Sequence, residues 1–424
     1  MSVVNKSIFT LFHHDLNYQN QIFDFDSSKL FSLSQQKPEH NVDKLSNIFL
    51  HIVERDIQGY KDEEISLTLT GGMDSRIILA CLLKLGVKPI CLTYGNPEAN
   101  DIVRAGKIAN SFGLIHHNVA SIKPNKDWYY KWVIETIKRD NGNSHLHRAH
   151  RTAAIAEHAK KYNTKVLFTG HMGGEGLRGL AYNNYFASKF FEWVNEGQYS
   201  TKDAVEKILG QYFIKKEHTD LEETLNEVSK LPYMTNDKQK NKFFFLYDLV
   251  AKIHHAQDIR LYQTFVSNVV PVYLQKEYLE FIFSTPHHFM AKKKGILGKL
   301  QNPEVYCRIL KEVYPPLLDH QLSNGFTPAE YLKGLWYYIP VKMYRKRKNK
   351  TVYPPTFSYG KWYEEFVNEH AQNISDAIWE IYDKEKYFSA LKNNQHEDNE
   401  GYWHKYSNPI FFDLVEKYKK GMLT

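Results

Sequence analysis

Short apolar runs alternate with segments of helical periodicity between about residues 43 and 180, and this alternation constrains the fold most strongly. The apolar runs, each of strand length, span residues 65–69, 89–93, 115–119 and 165–169. Strands that alternate with helices form parallel sheets with crossover connections. Because such sheets bind ligands beyond the carboxyl ends of their strands, we expect the loops after Leu69, Thr93 and Thr169 to meet at one crevice.

Amphipathic helical patterns dominate after residue 180, where no further strand is predicted. They span residues 203–213, 240–255, 277–283, 305–313, 328–338, 361–369 and 410–418. The chain is therefore predicted to be an α/β protein in which a parallel sheet is followed by a mostly helical C-terminal region. We predict three parts, namely an extended lead-in over residues 1–42, the α/β domain over 43–290 and the helical region over 291–424.

Composition argues against several classes of protein. No stretch approaches the ~20 consecutive apolar residues of a membrane span, and the N-terminus lacks the pattern of a signal peptide. We therefore expect a cytoplasmic protein without a transmembrane segment. The three cysteines, Cys81, Cys91 and Cys307, form no CxxC pair. Their spacing argues against a disulfide framework, a structural zinc site or an iron–sulfur cluster.

Much of the net charge of +7 lies in one basic run, residues 342–350, with the sequence KMYRKRKNK. Such a run can contact RNA, an anionic membrane surface or an acidic substrate. We favour a solvated helix end or loop and expect no nucleic-acid partner. The aromatic run at residues 336–339 beside it fits either a membrane surface or a core helix.

A glycine-rich turn, Thr70-Gly71-Gly72-Met73-Asp74-Ser75, connects a predicted strand to a predicted helix. Its amides and hydroxyls can bind phosphate oxygens, and two glycines let the main chain approach an anion closely. The carboxylate of Asp74 fits this setting if it binds Mg2+ that bridges phosphate oxygens. The turn lacks the lysine of the GxxxxGK[ST] phosphate loop.

The turn resembles the SGGxDS pyrophosphate loop of the PP-loop ATP pyrophosphatases, with Thr70 in place of the first serine. Within that superfamily the chain is most similar to the synthetase domain of asparagine synthetases, over residues 43–325. Three more segments match in the same order. Residues 93–117 match the stretch after the family's second strand, 166–179 its GEGxDELFGG turn and 271–286 its VPFLDxxLVEFxxSLP segment.

The resemblance implies the adenine nucleotide alpha hydrolase-like fold and a ligase that uses ATP and Mg2+. Such an enzyme activates a carboxylate as an acyl-adenylate with release of pyrophosphate, and an amine then displaces AMP. The nucleotide contacts implied by the resemblance fall on Leu69, Thr70, Gly71, Gly72, Asp74, Ser75, Thr93, Tyr94 and Gly170.

The resemblance also implies two metal ligands and two catalytic residues. Asp74 is the first metal ligand and a catalytic residue. The family's second acidic ligand aligns with Gly174, so Glu175 is the expected replacement. Arg178 stands where the family has glycine, and we expect its guanidinium to contact phosphate or the substrate carboxylate.

The chain departs from the family at charged positions. The family's VEAR stretch, with a glutamate and an arginine near the substrate, corresponds to residues 266–269, and its RxKxxF stretch, with a catalytic lysine, to 321–326. None of these three charges is present, so Arg178, Arg260 and residues 292–294 are candidate replacements. The substrate, a small-molecule or peptide carboxylate, is left open. A catalytically degenerate ATP-binding regulatory or scaffold protein is the alternative function.

Two further expectations concern nitrogen and histidine. The full-length family obtains ammonia from an N-terminal glutaminase domain with a cysteine nucleophile, whereas this chain has Ser2 at that position. We therefore expect nitrogen from free ammonia, a substrate amine or a separate glutaminase. Four histidines form a cluster in the sequence, at His145, His147, His150 and His158. They could bind zinc, but packing or solvation is the favoured interpretation.

Overall fold

The computed structural model describes residues 22–119, 125–178, 186–215, 221–231, 233–291, 295–348, 353–354, 360–393 and 400–423 of the 424-residue chain. Its parallel sheet consists of β1 Ile65–Thr68, β2 Ile90–Thr93, β3 His116–Asn118, β4 Val166–Thr169 and β5 Asn268–Pro271. The strand order is β3-β2-β1-β4-β5. The chain extends the sheet from β1 to β3 and then crosses to the other side of β1, so a topological switch lies between β1 and β4.

β1 is the central strand of this sheet. Leu67 pairs with Cys91 of β2 on one side and with Phe168 of β4 on the other. All three side chains are fully buried, as expected for parallel strands that helices cover on both faces. The predicted α/β class with a parallel sheet is confirmed.

The described helices form two groups along the chain, one before β4 and one after it. The first group is α1 Ser27–Gln35, α2 Leu45–Ile57, α3 Asp74–Lys84, α4 Asn100–Ser111, α5 Lys126–Asp140 and α6 Ala149–Tyr162. The second group is α7 Gly173–Arg178, α8 Phe186–Asn195, α9 Thr201–Gln211, α10 Leu221–Ser229, α11 Lys238–Phe244, α12 Ala256–Gln263, α13 Lys276–Phe283, α14 Gly295–Val313, α15 Pro328–Tyr331, α16 Leu335–Lys348, α17 Gly360–Ala371, α18 Asp376–Trp379, α19 Lys384–Asn393 and α20 Glu400–Lys419. A π-helix, Phe245–His255, connects α11 to α12. The predicted helical C-terminal region is confirmed.

Some elements differ from the expectation. β5 forms after residue 180, where no strand is predicted, because its four residues are too few to show a period. Part of the expected extended lead-in forms α1, whose N-terminus is capped by the Asp26 carboxylate, which accepts from the Ser28 amide at 2.8 Å. The helix expected over residues 328–338 is divided at Gly334, where φ is +78°.

The main hydrophobic core includes described residues from Phe23 to Val415, and a second, smaller cluster consists of Cys307, Leu322, Phe326 and Tyr331. α20 packs against α5 and α17, so the last described helix shares the core of the sheet. The domain boundaries at residues 42 and 290 stay a prediction. No helix in the described ranges is both long enough and apolar enough to cross a membrane.

A histidine pair lies between β3 and α6, with His158 buried and His117 half-buried. The Nδ1 atoms of His117 and His158 are 3.0 Å apart, and His158 Nε2 lies 2.9 Å from Ser66 Oγ. Burial, together with the neighbouring charges of His117 and Lys161, lowers the pKa of His158 to about 3. The His158 imidazole is therefore neutral in the folded protein at pH 7.

We predict that the free energy of unfolding decreases as the pH falls from 6.5 toward 4. His158 binds a proton near pH 6.5 in the unfolded chain but only near pH 3 in the folded chain, so the unfolded state binds more protons between these values. When the pH falls from about 7 to about 4.5, the parent protein should lose about 2–3 kcal/mol more of its free energy of unfolding than the His158→Gln variant loses. Urea unfolding at both pH values measures this difference.

The exposed His51 supplies the matched control, His51→Gln, which should leave the stability difference unchanged. If the free energy of unfolding depends equally on pH in His158→Gln and in the parent protein, the loss of stability at low pH does not come from His158.

Candidate nucleotide and substrate site

A cavity of about 340 Å³ opens at the carboxyl ends of β1, β2 and β4. It lies at the topological switch, where open α/β sheets bind their ligands. Eight residues proposed from the sequence line it, namely Leu69, Thr70, Asp74, Ser75, Thr93, Tyr94, Gly170 and Glu175. The loops after three strands therefore meet at one crevice, as the alternation of strands and helices predicts.

Gly71 and Gly72 line a second cavity, of about 280 Å³. Its wall also includes residues of α14 and of the loop before α15, namely Pro303, Tyr306, Leu322, Ser323 and Asn324. Asp74 lines both cavities. The turn after β1 thus stands between two spaces, with Asp74 in the wall that they share.

Hydroxyl groups shape the turn from within. The Thr70 amide donates to Ser75 Oγ at 3.0 Å, and the Gly72 amide donates to Thr70 Oγ1 at 3.2 Å. α3 begins at Asp74, directly after the turn, and adds the positive end of its dipole. A turn of this construction, followed at once by a helix N-terminus, can bind phosphate oxygens.

The turn after β4 packs tightly on Asp74. A Cβ atom added to Gly173 would lie 2.7 Å from both Cβ and Cγ of Asp74, so glycine is required for this approach. Two buried tyrosines hold the main chain on either side of the contact. Tyr273 Oη donates to the Asp74 carbonyl at 2.8 Å, and Tyr306 Oη donates to the Gly173 carbonyl at 2.6 Å.

A buried arginine joins the turn to the loop of residues 320–326. Arg76 donates to the carbonyls of His320 at 2.5 Å, Gln321 at 3.1 Å and Gly71 at 3.4 Å. Burial lowers its pKa to about 10, which leaves the guanidinium charged at neutral pH. A Cβ at Gly71 would lie 2.8 Å from Ser323 Oγ, so the loop contacts the turn directly.

Two carboxylates of the larger cavity, those of Asp74 and Glu175, suit Mg2+. Mg2+ in proteins is bound through one or two carboxylates, while water and substrate phosphates complete its coordination. Asp101 lines the same cavity, but its carboxylate accepts a hydrogen bond from the Ser323 hydroxyl. The oxygen donors at the turn therefore fit the ion, which would neutralise charge on bound phosphates.

The other end of the larger cavity is cationic. Asp258 of α12 is buried, forms an ion pair with Arg148, and accepts from Arg151 Nη1 at 3.3 Å; its carboxylate also lies 3.7 Å from His171 Nε2. Burial alone would raise the pKa of Asp258, but these neighbours outweigh it and hold the pKa well below its usual range. Arg151 and His171 also line the cavity. Two guanidinium groups on one carboxylate leave net positive charge at this end.

His255, the last residue of the π-helix, lies in the same wall. Burial, reinforced by nearby positive charge, lowers its pKa well below the usual range, so the imidazole is neutral at pH 7. Ligand atoms of His171, His255 and Asp258 lie within 4.8 Å of one another, a spacing that a metal ion could bridge. The two guanidinium groups on Asp258 oppose a cation there, so this end suits an anion better.

The remaining sequence candidates lie elsewhere. Arg178 ends α7, but its side chain lies outside the part that the structure describes, as do residues 292–294. Arg260 lines neither cavity, and its charge lies close to Asp140. Ser267, at a position where the family has charge, donates to the Lys165 carbonyl at 3.3 Å.

The described histidines of the sequence cluster do not share a metal site. His158 pairs with His117, and the ring of His145 packs 4.9 Å from that of Phe411. The side chain of His147 is outside the described residues. The favoured interpretation, packing, therefore holds for His145 and His158.

Sequence reasoning missed Arg151, His171 and His255. A usable signal existed for the first two. Crossover helices run antiparallel to the strands, so their first turns stand at the carboxyl edge of the sheet. Arg151 lies in the first turn of α6, which leads into β4, and His171 follows β4 by two residues. His255 gave no such signal, because its place depends on how the long helical segment packs.

The sequence model of the asparagine synthase family matches residues 48–277. This match covers more than half of the chain and includes all five strands. It also includes the turn after β1, the turn after β4 and the cationic end of the larger cavity. Comparison with curated proteins finds no match.

We predict that Gly173→Ala weakens the binding of Mg-ATP by at least about tenfold, because the new methyl group overlaps the Asp74 side chain and displaces it. Isothermal titration calorimetry measures the change. Gly210→Ala is the matched control, since a Cβ at that helical position meets no atom within 4 Å. Equal affinity in Gly173→Ala and the control would show that the site does not depend on this contact.

Proposed function

The chain belongs to the asparagine synthase family, a family of ATP-dependent amide ligases, and we propose that it joins a carboxylate to an amine nitrogen through an acyl-adenylate. ATP would be cleaved to AMP and pyrophosphate. One observation supports this proposal above all. Asp74 stands at the start of α3, between the phosphate-binding turn and the β4 turn, in the wall that two cavities share.

The two cavities suit the two parts of ATP that the reaction separates. The amides and hydroxyls around Gly71 and Gly72 would bind the β- and γ-phosphates on the side of the smaller cavity. Thr93 and Tyr94, in the wall of the larger cavity, would contact the adenosine. The bond that breaks, between the α-phosphorus and the pyrophosphate oxygen, would then lie near Asp74.

The proposed reaction has two steps. A carboxylate oxygen of the substrate attacks the α-phosphorus, and pyrophosphate leaves with the electrons of the broken P–O bond. An amine then attacks the acyl carbon, loses a proton, and expels AMP. Such steps need positioning and charge neutralisation rather than a protein nucleophile. Mg2+ held by Asp74 and Glu175 would supply the neutralisation at the phosphates.

Arg151 and His171 are our candidates for binding the acid substrate. Both line the larger cavity, and both contact the Asp258 carboxylate, which orients them. A guanidinium has five N–H donors in a planar fork, a geometry that suits recognition of a carboxylate. These residues would take the place of the charges that the chain lacks at residues 266–269.

His255 is our candidate for orienting the attacking amine. Its imidazole lines the same cavity and is neutral at pH 7 because burial lowers its pKa. The lowered pKa makes the imidazole a weak base, so we propose a hydrogen bond to the amine rather than general-base catalysis. The catalytic role of Arg178 stays a prediction. The nitrogen source, whether ammonia, a substrate amine or a separate glutaminase, also stays a prediction.

A pyrophosphate-release assay tests the function. With Mg-ATP, a panel of small and peptide carboxylates, and ammonia or amines, the chain should release pyrophosphate together with AMP. We predict that Asp74→Asn lowers this rate by at least about 100-fold, because it removes the charge that holds the metal at the phosphates. The exposed Asp376 supplies the control variant, Asp376→Asn, which should match the parent protein.

The products discriminate between functions. Release of ADP and phosphate would contradict adenylation. Binding of ATP in calorimetry without turnover on any substrate pair would favour the regulatory or scaffold alternative. That alternative rests on the uncharged residues Ser267, Val269 and Ser323 at positions where the family has charge.

We predict that Arg151→Met raises the KM for the acid substrate by about 10- to 100-fold, because the loss of a hydrogen bond to a charged group weakens binding by about this factor. The KM for ATP should change little. Steady-state kinetics with each substrate varied in turn separates the two effects. Lys160→Met, on the exposed side of α6, is the control. Arg151→Lys should retain part of the acid affinity. An equal increase of both KM values would indicate a general loss of site structure instead.

A further inference from the structure

α16 exposes large apolar side chains along one face. Trp336, Ile339, Met343 and Tyr344 are 95, 40, 57 and 58% exposed. At 3.6 residues per turn, their spacing puts all four on the same side of the helix. We call these four residues the α16 stripe. The other exposed large apolar residues of the described chain are scattered, whereas these four are contiguous. Contiguous exposed apolar surface marks a binding face.

The opposite face of α16 is anchored to the protein. The Tyr338 ring packs 4.8 Å from that of Phe326. Arg345, seven residues further along the same face, donates to the Glu330 carboxylate at 2.7 and 3.0 Å and to the Gly325 carbonyl at 2.8 Å. These contacts hold the helix with its stripe directed outward.

The segment around the stripe carries the net charge of the whole chain. Residues 331–363 contain eight Lys and Arg and no Asp or Glu. Removing those eight from the chain's 55 Lys and Arg leaves 47, against 48 Asp and Glu. The excess positive charge is therefore concentrated in this stretch of the sequence rather than spread along the chain. Its complement is a surface that is anionic and also accepts apolar side chains.

We propose that α16 binds the surface of an anionic lipid bilayer. The α16 stripe would enter the boundary between headgroups and acyl chains, and the exposed Lys342 beside it would contact anionic headgroups. A second copy of this chain is a poor occupant, because two faces of the same strong positive charge repel each other. Ile339 and Met343 argue against nucleic acid, which offers phosphates and base faces rather than an apolar phase.

The membrane face adjoins the nucleotide site. Tyr331 lines the smaller cavity, and its ring lies 5.4 Å from that of Tyr338 in α16. Glu330, the partner of Arg345, directly precedes Tyr331 in the chain. Bilayer binding through the α16 stripe would therefore hold the smaller cavity close to the lipid surface. The proposal does not depend on the reaction, since the surface is defined by exposure and charge alone.

Sedimentation with lipid vesicles tests the proposal on the full chain. Vesicles of phosphatidylcholine alone are compared with vesicles that contain roughly one third phosphatidylglycerol, at low salt. We expect at least about tenfold stronger partitioning to the anionic vesicles, and a decrease of this partitioning as salt screens the charge. Equal, weak partitioning to both vesicles would overturn the proposal.

Matched variants locate the contact. Trp336→Ser combined with Met343→Ser should lower partitioning to anionic vesicles by about tenfold or more, since both side chains are removed from the apolar phase. The control pair, Ile115→Ser with Met422→Ser, removes exposed apolar residues elsewhere and should have no effect. Lys342→Glu should weaken binding, whereas Lys202→Glu on α9 should not. Thermal unfolding checks that all variants fold.

Three outcomes would overturn the assignment to a bilayer. The first is vesicle binding that the stripe variant leaves unchanged. The second is a dimer in analytical ultracentrifugation that the stripe variant dissociates, without vesicle binding, which would identify a second copy as the occupant. The third is binding of single-stranded RNA that depends on Lys342 but not on Trp336 and Met343, again without vesicle binding.

Discussion

The contact between Asp74 and Gly173 is the constraint on which the rest of the site depends. Because β1 and β4 are neighbours at the topological switch, the turns that follow them meet, with only glycine tolerated against the Asp74 side chain. Tyr273 and Tyr306 hold the adjoining carbonyls. The position of the carboxylate is thus set by the packing of the protein itself, which is the preorganisation that electrostatic catalysis requires.

Charge is divided across the larger cavity. Carboxylates of Asp74 and Glu175 lie in its wall together with the turn amides, whereas the Arg151 guanidinium gives it positive charge beside Asp258. A cavity of this kind can take a metal-bound polyphosphate and a second anion without forcing like charges together. The family resemblance would place substrate-facing charges at residues 266–269, where β5 begins, and in the loop of residues 321–326. Here the Arg151 guanidinium of α6 supplies positive charge in the larger cavity instead.

The loop of residues 320–326 connects the glycine-rich turn after β1 to the C-terminal helices. Arg76 binds its carbonyls at one end, and Arg345 binds the Gly325 carbonyl at the other. The glycine-rich turn and α16 are therefore linked through one short segment whose main chain is held at both ends. Where the family has a charged lysine, this loop carries Ser323, whose hydroxyl bonds Asp101. The loop acts here as a structural connection.

Local patterns were enough to predict the parallel sheet, the glycine-rich turn between a strand and a helix, and the crevice, because strand and helix periods and a Gly-Gly turn are properties of neighbouring residues. The same reasoning missed β5 and α1, which are too short or too weakly patterned to signal. It also missed Arg151 and His255 as cavity residues, and could not choose between a buried and an exposed α16. Those features depend on which distant segments pack together, and side-chain periodicity within one segment carries no information about its partner.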